Sequence, residues 1–188
     1  MRNSILFVFA LLISDFAFSQ SKKDIRKNKV VSQKVIVVKT MDGKESLLDE
    51  SFERYDSEGN VIEEISFDDS GAMKSRIVCS FSKSGEKVEE QTYTSDGNLK
   101  KRKTWKFDIN GNQTEEVRYD GAGKMIEKEL WDYNPEGERI AETIMDGVGE
   151  VLKTTSIEYD NKGMRIKRKV FDASGKLILE KRYIYSER

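Results

Sequence analysis

The chain has 188 residues, 36% of them charged, and a formal net charge of −1, enough length for one domain but no global basic field for nucleic acid. It contains no His and one Cys, which excludes Ser-His-Asp and Cys-His catalysis, zinc sites of Cys/His type and any intramolecular disulfide framework. The mean hydropathy of −0.66 is low enough to suggest disorder, but disordered chains do not place aromatics on a fixed ruler, as this one does.

Residues 1–19 read as an export signal. Arg2 supplies the positive start, Ile5 to Ile13 forms an apolar run too short to span a membrane, and Ala17-Phe18-Ser19 offers small residues for cleavage before Gln20. The expectation is export to the periplasm, the outer surface or the medium, with no membrane span after signal removal and, since no Cys lies near the cut, no lipid anchor. Residues 20–29 carry five Lys or Arg against one Asp, the composition of a solvated basic linker.

Residues 30–40 are rich in β-branched side chains and predict a strand. Asp42-Gly43 predicts a hairpin turn, and the returning strand ends at Tyr55. From Gly59 onward a ruler appears: glycines at 59, 71, 85, 97, 111, 123, 137, 149, 163 and 175, with gaps alternating 12 and 14. The period is therefore 26 residues, typified by the unit between Gly111 and Gly137. Gly43 falls off the ruler, so residues 30–58 are expected to form a degenerate capping copy and residues 59–188 the regular repeats, together one domain over 30–188.

Six of the ten glycines close an aromatic-Asp-x-x-Gly turn, as in Phe67-Asp68-Asp69-Ser70-Gly71 and Phe171-Asp172-Ala173-Ser174-Gly175. The Asp accepts a hydrogen bond from the backbone N–H two residues on, and the glycine takes positive φ, giving the three-residue hairpin loop with a glycine bulge. Ten strands follow, at 60–67, 72–81, 86–93, 98–107, 112–119, 124–133, 138–145, 150–159, 164–171 and 176–185. No segment shows a sustained helical period. The fold class is all-β: repeated antiparallel hairpins forming one extended twisted meander sheet of about twelve strands. An uninterrupted register would pair Phe67 with Met73, Ile65 with Ser75 and Val61 with Cys79.

Strict alternation would then put all the turn aromatics on one face, including Phe67, Phe81, Phe107, Tyr119 and Tyr133, together with Cys79, Trp105 and Trp131. The opposite face would carry Glu64, Glu90, Glu116 and Glu142, a row read as solvated rather than as a cation site because its members sit two strands apart. Cys79 occupies the slot that Trp105 fills one repeat later and reads as a small buried hydrophobe. In the last repeats the charged face would turn apolar through Ile140, Ile144, Leu152, Ile166, Val170, Ile178 and Ile184. These are the candidate partner-binding residues, through which a protein partner or a second copy would be bound, the competing occupant being segment 30–40 of the same chain. Trp105 and Trp131, one repeat apart, are the candidates for an alternative role in stacking carbohydrate.

The motif Tyr55-Asp56-x-x-Gly59-Asn60 and later copies such as Gly175-Lys176-Leu177-Ile178 resemble the YD repeats of RHS-type proteins, and are similar to MORN-like variant repeats. The resemblance covers about residues 55–185. It implies extended hairpin arrays, found in exported proteins as shells or interaction surfaces, without shared catalytic residues. The chain departs from the pattern where Ser82, Thr94 and Asn134 replace the turn Asp and where Met145 replaces the aromatic, and it shows none of the toxin domain of the longer RHS proteins. The reading is an exported, non-catalytic binding or scaffold protein of the cell envelope or exterior, with no cofactor, metal or catalytic residue expected.

Overall fold

A computed structural model describes residues 21–41 and 44–186. The expected export signal and the Asp42-Gly43 turn lie outside the described residues, apart from the segment just after the expected cut. That segment departs from the linker expectation: Lys22–Lys27 form a short helix, α1. Ser21 caps it by accepting the Asp24 N–H, Asp24 lies in its first turn, and Arg26 and Lys27 lie in its last, an order that suits the helix dipole. Ile25 anchors it with only 2% of its surface exposed. One apolar residue in a basic segment gives no periodicity to read, so the helix is legible only from what it packs on.

The remaining chain forms twelve strands: β1 Ser32–Met41, β2 Lys44–Tyr55, β3 Val61–Phe67, β4 Met73–Phe81, β5 Lys87–Tyr93, β6 Leu99–Phe107, β7 Gln113–Asp120, β8 Met125–Tyr133, β9 Arg139–Asp146, β10 Val151–Tyr159, β11 Arg165–Asp172 and β12 Leu177–Arg182. Each pairs antiparallel with its neighbours in sequence order, in one open sheet with β1 and β12 as its edges. The segment 30–40 therefore lies at the far edge from β12 and does not cover the C-terminal repeats.

All ten ruler glycines have positive φ, between 75° and 95°. At the β3–β4 turn the Asp68 N–H donates to the Ala72 carbonyl and the Gly71 N–H to the Asp68 carbonyl, and the same pair recurs at every turn on the ruler. Asp68 Oδ1 accepts the Ser70 N–H at 2.8 Å and the Ala72 N–H at 3.1 Å. Where Asn134 replaces Asp, its side-chain oxygen still accepts the Glu138 N–H at 2.8 Å. Ser82 does likewise for the Glu86 N–H at 3.2 Å.

The register corrects the sequence expectation. Phe67 does face Met73, but Ser66 then faces Ser75 and Ile65 faces Arg76. Lys74 is left over as a bulge, so the expected Ile65–Ser75 and Val61–Cys79 pairs are off by one. The same one-residue slip follows every glycine turn, leaving Ile62, Val88, Lys100, Thr114, Ile126, Ile140, Leu152, Ile166 and Ile178 as extra residues on the returning strands. A slip of one transfers the rest of a strand to the other face.

The aromatic ladder is consequently shared between two faces. Phe67, Tyr93, Tyr119, Met145 and Phe171 share one face with Arg76 and Arg102, which lie opposite Tyr93 and Tyr119. The other face carries Tyr55, Phe81, Phe107, Tyr133 and Tyr159 with Cys79, Trp105, Trp131 and Ile157. It also carries the glutamate row, because Glu90 lies opposite Cys79, Glu116 opposite Trp105 and Glu142 opposite Trp131. The expected segregation of aromatics from carboxylates does not occur. Most of the buried apolar side chains, Trp131, Ile144, Ile157 and Val170, lie together on this second face.

Candidate functional site

The seven C-terminal apolar candidates do not form one surface. Ile144 and Val170 are 7% and 6% exposed and belong to the core of the glutamate-bearing face. Ile140, Leu152, Ile166 and Ile178 are the bulge residues of β9, β10, β11 and β12, each without a partner opposite and 37–57% exposed. Ile184 lies past the end of β12 and is 92% exposed. The alternation used to group them is broken by the bulges, and the signal that would have revealed this was the turn itself: a loop with a glycine bulge offsets the strands it joins.

The two tryptophans share a face as expected, but neither ring lies open as a stacking platform. Lys87 Nζ sits 5.2 Å above the Trp105 ring, and the Arg139 guanidinium 4.9 Å above the Trp131 ring. These cations take the position that a stacked sugar would occupy. Trp131 is also buried, at 7% exposure. Trp105 donates its indole N–H to Glu116 at 2.8 Å, whereas the Trp131 N–H has no partner.

Around these rings runs a charge network: of the glutamate row expected to be solvated, Glu64 is exposed, whereas Glu90 pairs with Lys87, Glu142 with Arg168 and Glu116 with Arg118. Arg118 reaches Glu116 at 2.8 Å, Glu127 at 2.6 Å and Glu129 at 3.1 Å. Burial works against ionisation of Glu116, but hydrogen bonds from Arg118 and Trp105 and the charges of Lys103 and Arg118 hold its carboxyl below the usual range. Glu129 goes the other way: burial pushes its carboxyl up, and Glu127, Glu116 and Glu142 add to that against the single cation Arg118. Cys79, opposite Glu90, has its thiol pushed up chiefly by burial, with Lys87 acting in the opposite direction. Its environment is that of a packed side chain, not of an activated nucleophile. Among the described residues no group of three or more Cys, Asp and Glu is disposed to hold a metal ion, in keeping with carboxylates spread along strands.

The surfaces left unpartnered are the sheet edges. At the β1 edge, α1 packs over the β2–β3 turn, so close that a Cβ on Gly59 would lie 2.6 Å from the Lys22 carbonyl oxygen. At the β12 edge no element covers the strand among the described residues, and Leu177, Ile178 and Leu179 are 45, 57 and 42% exposed. Among the described residues no helix is long and apolar enough to cross a membrane.

A family described as an uncharacterised protein matches residues 103–188. No curated protein matches the chain. Among solved structures, the Tc holotoxin pore of Photorhabdus luminescens is similar at a TM-score of 0.51 and 10% identity, over 82% of this chain and 10% of that one. A TcdB2–TccC3 structure without its hypervariable C-terminal region is similar over 80% of this chain and 11% of that one, at 12% identity and a TM-score of 0.32. A porin-like protein from Bacteroides uniformis is similar at a TM-score of 0.35 and 14% identity, over 74% of this chain and 54% of that one. The chain thus spans about a tenth of the Tc chain whose fold it shares.

Proposed function

We propose that this chain is an exported, non-catalytic scaffold of the cell envelope or exterior that binds a protein partner through its repeat sheet. The observation that carries the reading is the single-layer architecture: twelve strands in one open sheet, with no second sheet packed on it among the described residues. Such a sheet offers a large, regular surface and a strand edge left uncovered among the described residues. The resemblance of its turns to YD repeats points the same way, as does the fold shared with the Tc holotoxin pore.

Export is tested by intact mass of protein recovered from the envelope or medium, which should begin at Gln20 within about two residues of the expected cut; retention of Met1 would argue against it. Binding is tested by in-cell photo-crosslinking from several sheet positions. One protein partner, recovered again when that partner is the bait, supports the scaffold reading. Recovery of the chain free of partners, together with turnover of a substrate by the purified protein, would overturn it.

A further inference from the structure

Charge is distributed unevenly along the sheet. From Met125 to Asp146, across β8 and β9, seven carboxylates stand against two cations, Lys128 and Arg139. From Arg165 to Arg182, across β11 and β12, the balance reverses: seven Lys and Arg stand against Asp172 and Glu180. Those two carboxylates are already engaged. Asp172 Oδ1 accepts the Ser174 and Lys176 N–H groups of its own turn. Glu180 is bonded to Arg182 at 2.6 Å. On β11, Lys167 and Lys169 pair with Glu158 and Arg168 with Glu142. Lys181 has no ion-pair partner among the described residues.

Among the described residues this basic hairpin is the last of the sheet, with β12 at its edge. The Tyr183 N–H donates to the Ile166 carbonyl at 3.0 Å, and the alternation of an antiparallel ladder then turns the backbone groups of Glu180 and Arg182 outward, away from β11. Just before them lie the exposed Leu177, Ile178 and Leu179. The edge thus combines three features: free backbone donors and acceptors in the plane of the sheet, a short apolar stretch, and net positive charge.

Resting on the scaffold reading above, we propose that the β12 edge takes up an extended, acidic strand from a partner protein. The partner segment supplies backbone groups to Glu180 and Arg182, apolar side chains opposite Leu177 to Leu179, and carboxylates toward Lys181. A second copy does not meet this description. Its β12 brings the same cations, and its other edge, β1, carries Lys34 and Lys39 and no carboxylate. The acidic β8–β9 region is interior to the sheet, paired on both sides, and has no edge to offer. The cations that keep copies of this chain apart are therefore the ones that select a carboxylate-bearing strand. A strand is favoured over a lipid or nucleic-acid surface because only a peptide backbone presents alternating donors and acceptors to an open ladder.

The test uses the full-length chain and two short synthetic peptides of one alternating Val/Thr pattern, carrying Glu or Lys at the polar positions. The Glu peptide should bind at least about tenfold more tightly than the Lys peptide and weaken about tenfold between low and high salt. It should also slow hydrogen exchange in β12. Lys181→Glu with Arg182→Glu should reverse the preference while the strand signal in circular dichroism stays unchanged. Equal affinity for the two peptides would overturn the proposal, as would tighter binding to phosphatidylserine vesicles or to single-stranded oligonucleotide, or a concentration-dependent dimer that protects β12. A crosslinked protein partner whose binding is untouched by the double reversal would also sink it, while leaving the scaffold reading in place.

Discussion

The turn aspartates do two jobs with one oxygen. Asp172 Oδ1 accepts the Ser174 and Lys176 N–H groups at 2.9 and 3.0 Å, and its carboxyl is held below the usual range first by the Ser174 hydroxyl and then by those bonds. Asp68 and Asp108 are lowered in the same way, led by the Ser70 hydroxyl and the Asn112 amide. A carboxyl whose pKa is depressed in the folded state adds stability above its unfolded value, and that stability is lost as pH falls through the folded value. The protein should therefore hold its melting temperature through neutrality and lose it below about pH 4; an unchanged melting temperature down to about pH 2 would contradict the turn mechanism. Glu129 has the opposite sign, so Glu129→Gln should raise stability at pH 7 and leave it unaltered in acid. The off-ruler glycines make a steric prediction. A Cβ on Gly121 would sit 2.2 Å from the Leu99 carbonyl oxygen, and one on Gly147 would sit 2.3 Å from that of Met125. Gly121→Ala should cost about 1–3 kcal/mol in urea denaturation, a cost arising from backbone approach and not from φ.

At the scale of the strand, the bulges decide what each apolar residue is for. Ile144→Ala and Val170→Ala empty the buried face and should cost about 2–4 kcal/mol and 1–3 kcal/mol in turn. Ile178→Ala, at an exposed bulge, should cost less than about 0.5 kcal/mol. Comparable losses at all three sites, measured by chemical denaturation, would mean that the apolar residues of the last repeats form one buried surface after all. Strands are also tied to one another by tyrosines. Tyr133 donates its hydroxyl to the Gln113 carbonyl at 2.8 Å, Tyr159 to that of Arg139 at 2.9 Å, and Tyr185 to that of Arg165 at 2.7 Å. Each bond reaches back 20 residues, joining successive hairpins on the same side of the array. Tyr133→Phe should lose about 1 kcal/mol. Phe107→Tyr, one repeat earlier, should gain part of that by reaching the Lys87 carbonyl, and thermal melts of the two variants should move in opposite directions.

For the whole molecule, an open sheet of twelve strands spaced about 4.8 Å apart is about 58 Å long, well beyond a compact domain of this length. Small-angle scattering of residues 20–188 should give a radius of gyration near 19 Å, against about 15 Å for a globule; the smaller value would mean that the sheet closes on itself in solution. The openness also explains where stability comes from. Buried apolar residues are few, and the faces are held by paired charges at the rim of small apolar clusters, such as Arg118 with its three glutamates beside Trp131 and Ile144.

How much of this the chain announces depends on the range of the interaction. Turn position, turn chemistry, strand number and strand order are local: an Asp and a Gly three residues apart fix a loop, and the 12/14 spacing repeats it until the strands have no choice but to pair in sequence. These features follow from the residues alone. The faces do not. They depend on a one-residue slip after each turn, so the pairs Phe67–Met73 and Ile65–Arg76 cannot both be read from alternation. The slip decides that Trp105 meets Glu116, that Ile144 and Val170 are core while Ile166 and Ile178 are not, and that Glu90, Glu116 and Glu142 meet cations while Glu64 stays exposed. The docking of α1 and the bare basic edge at β12 are tertiary in the same sense. A single buried isoleucine, or a strand left uncovered among the described residues, becomes visible only when the ends of the array are in place.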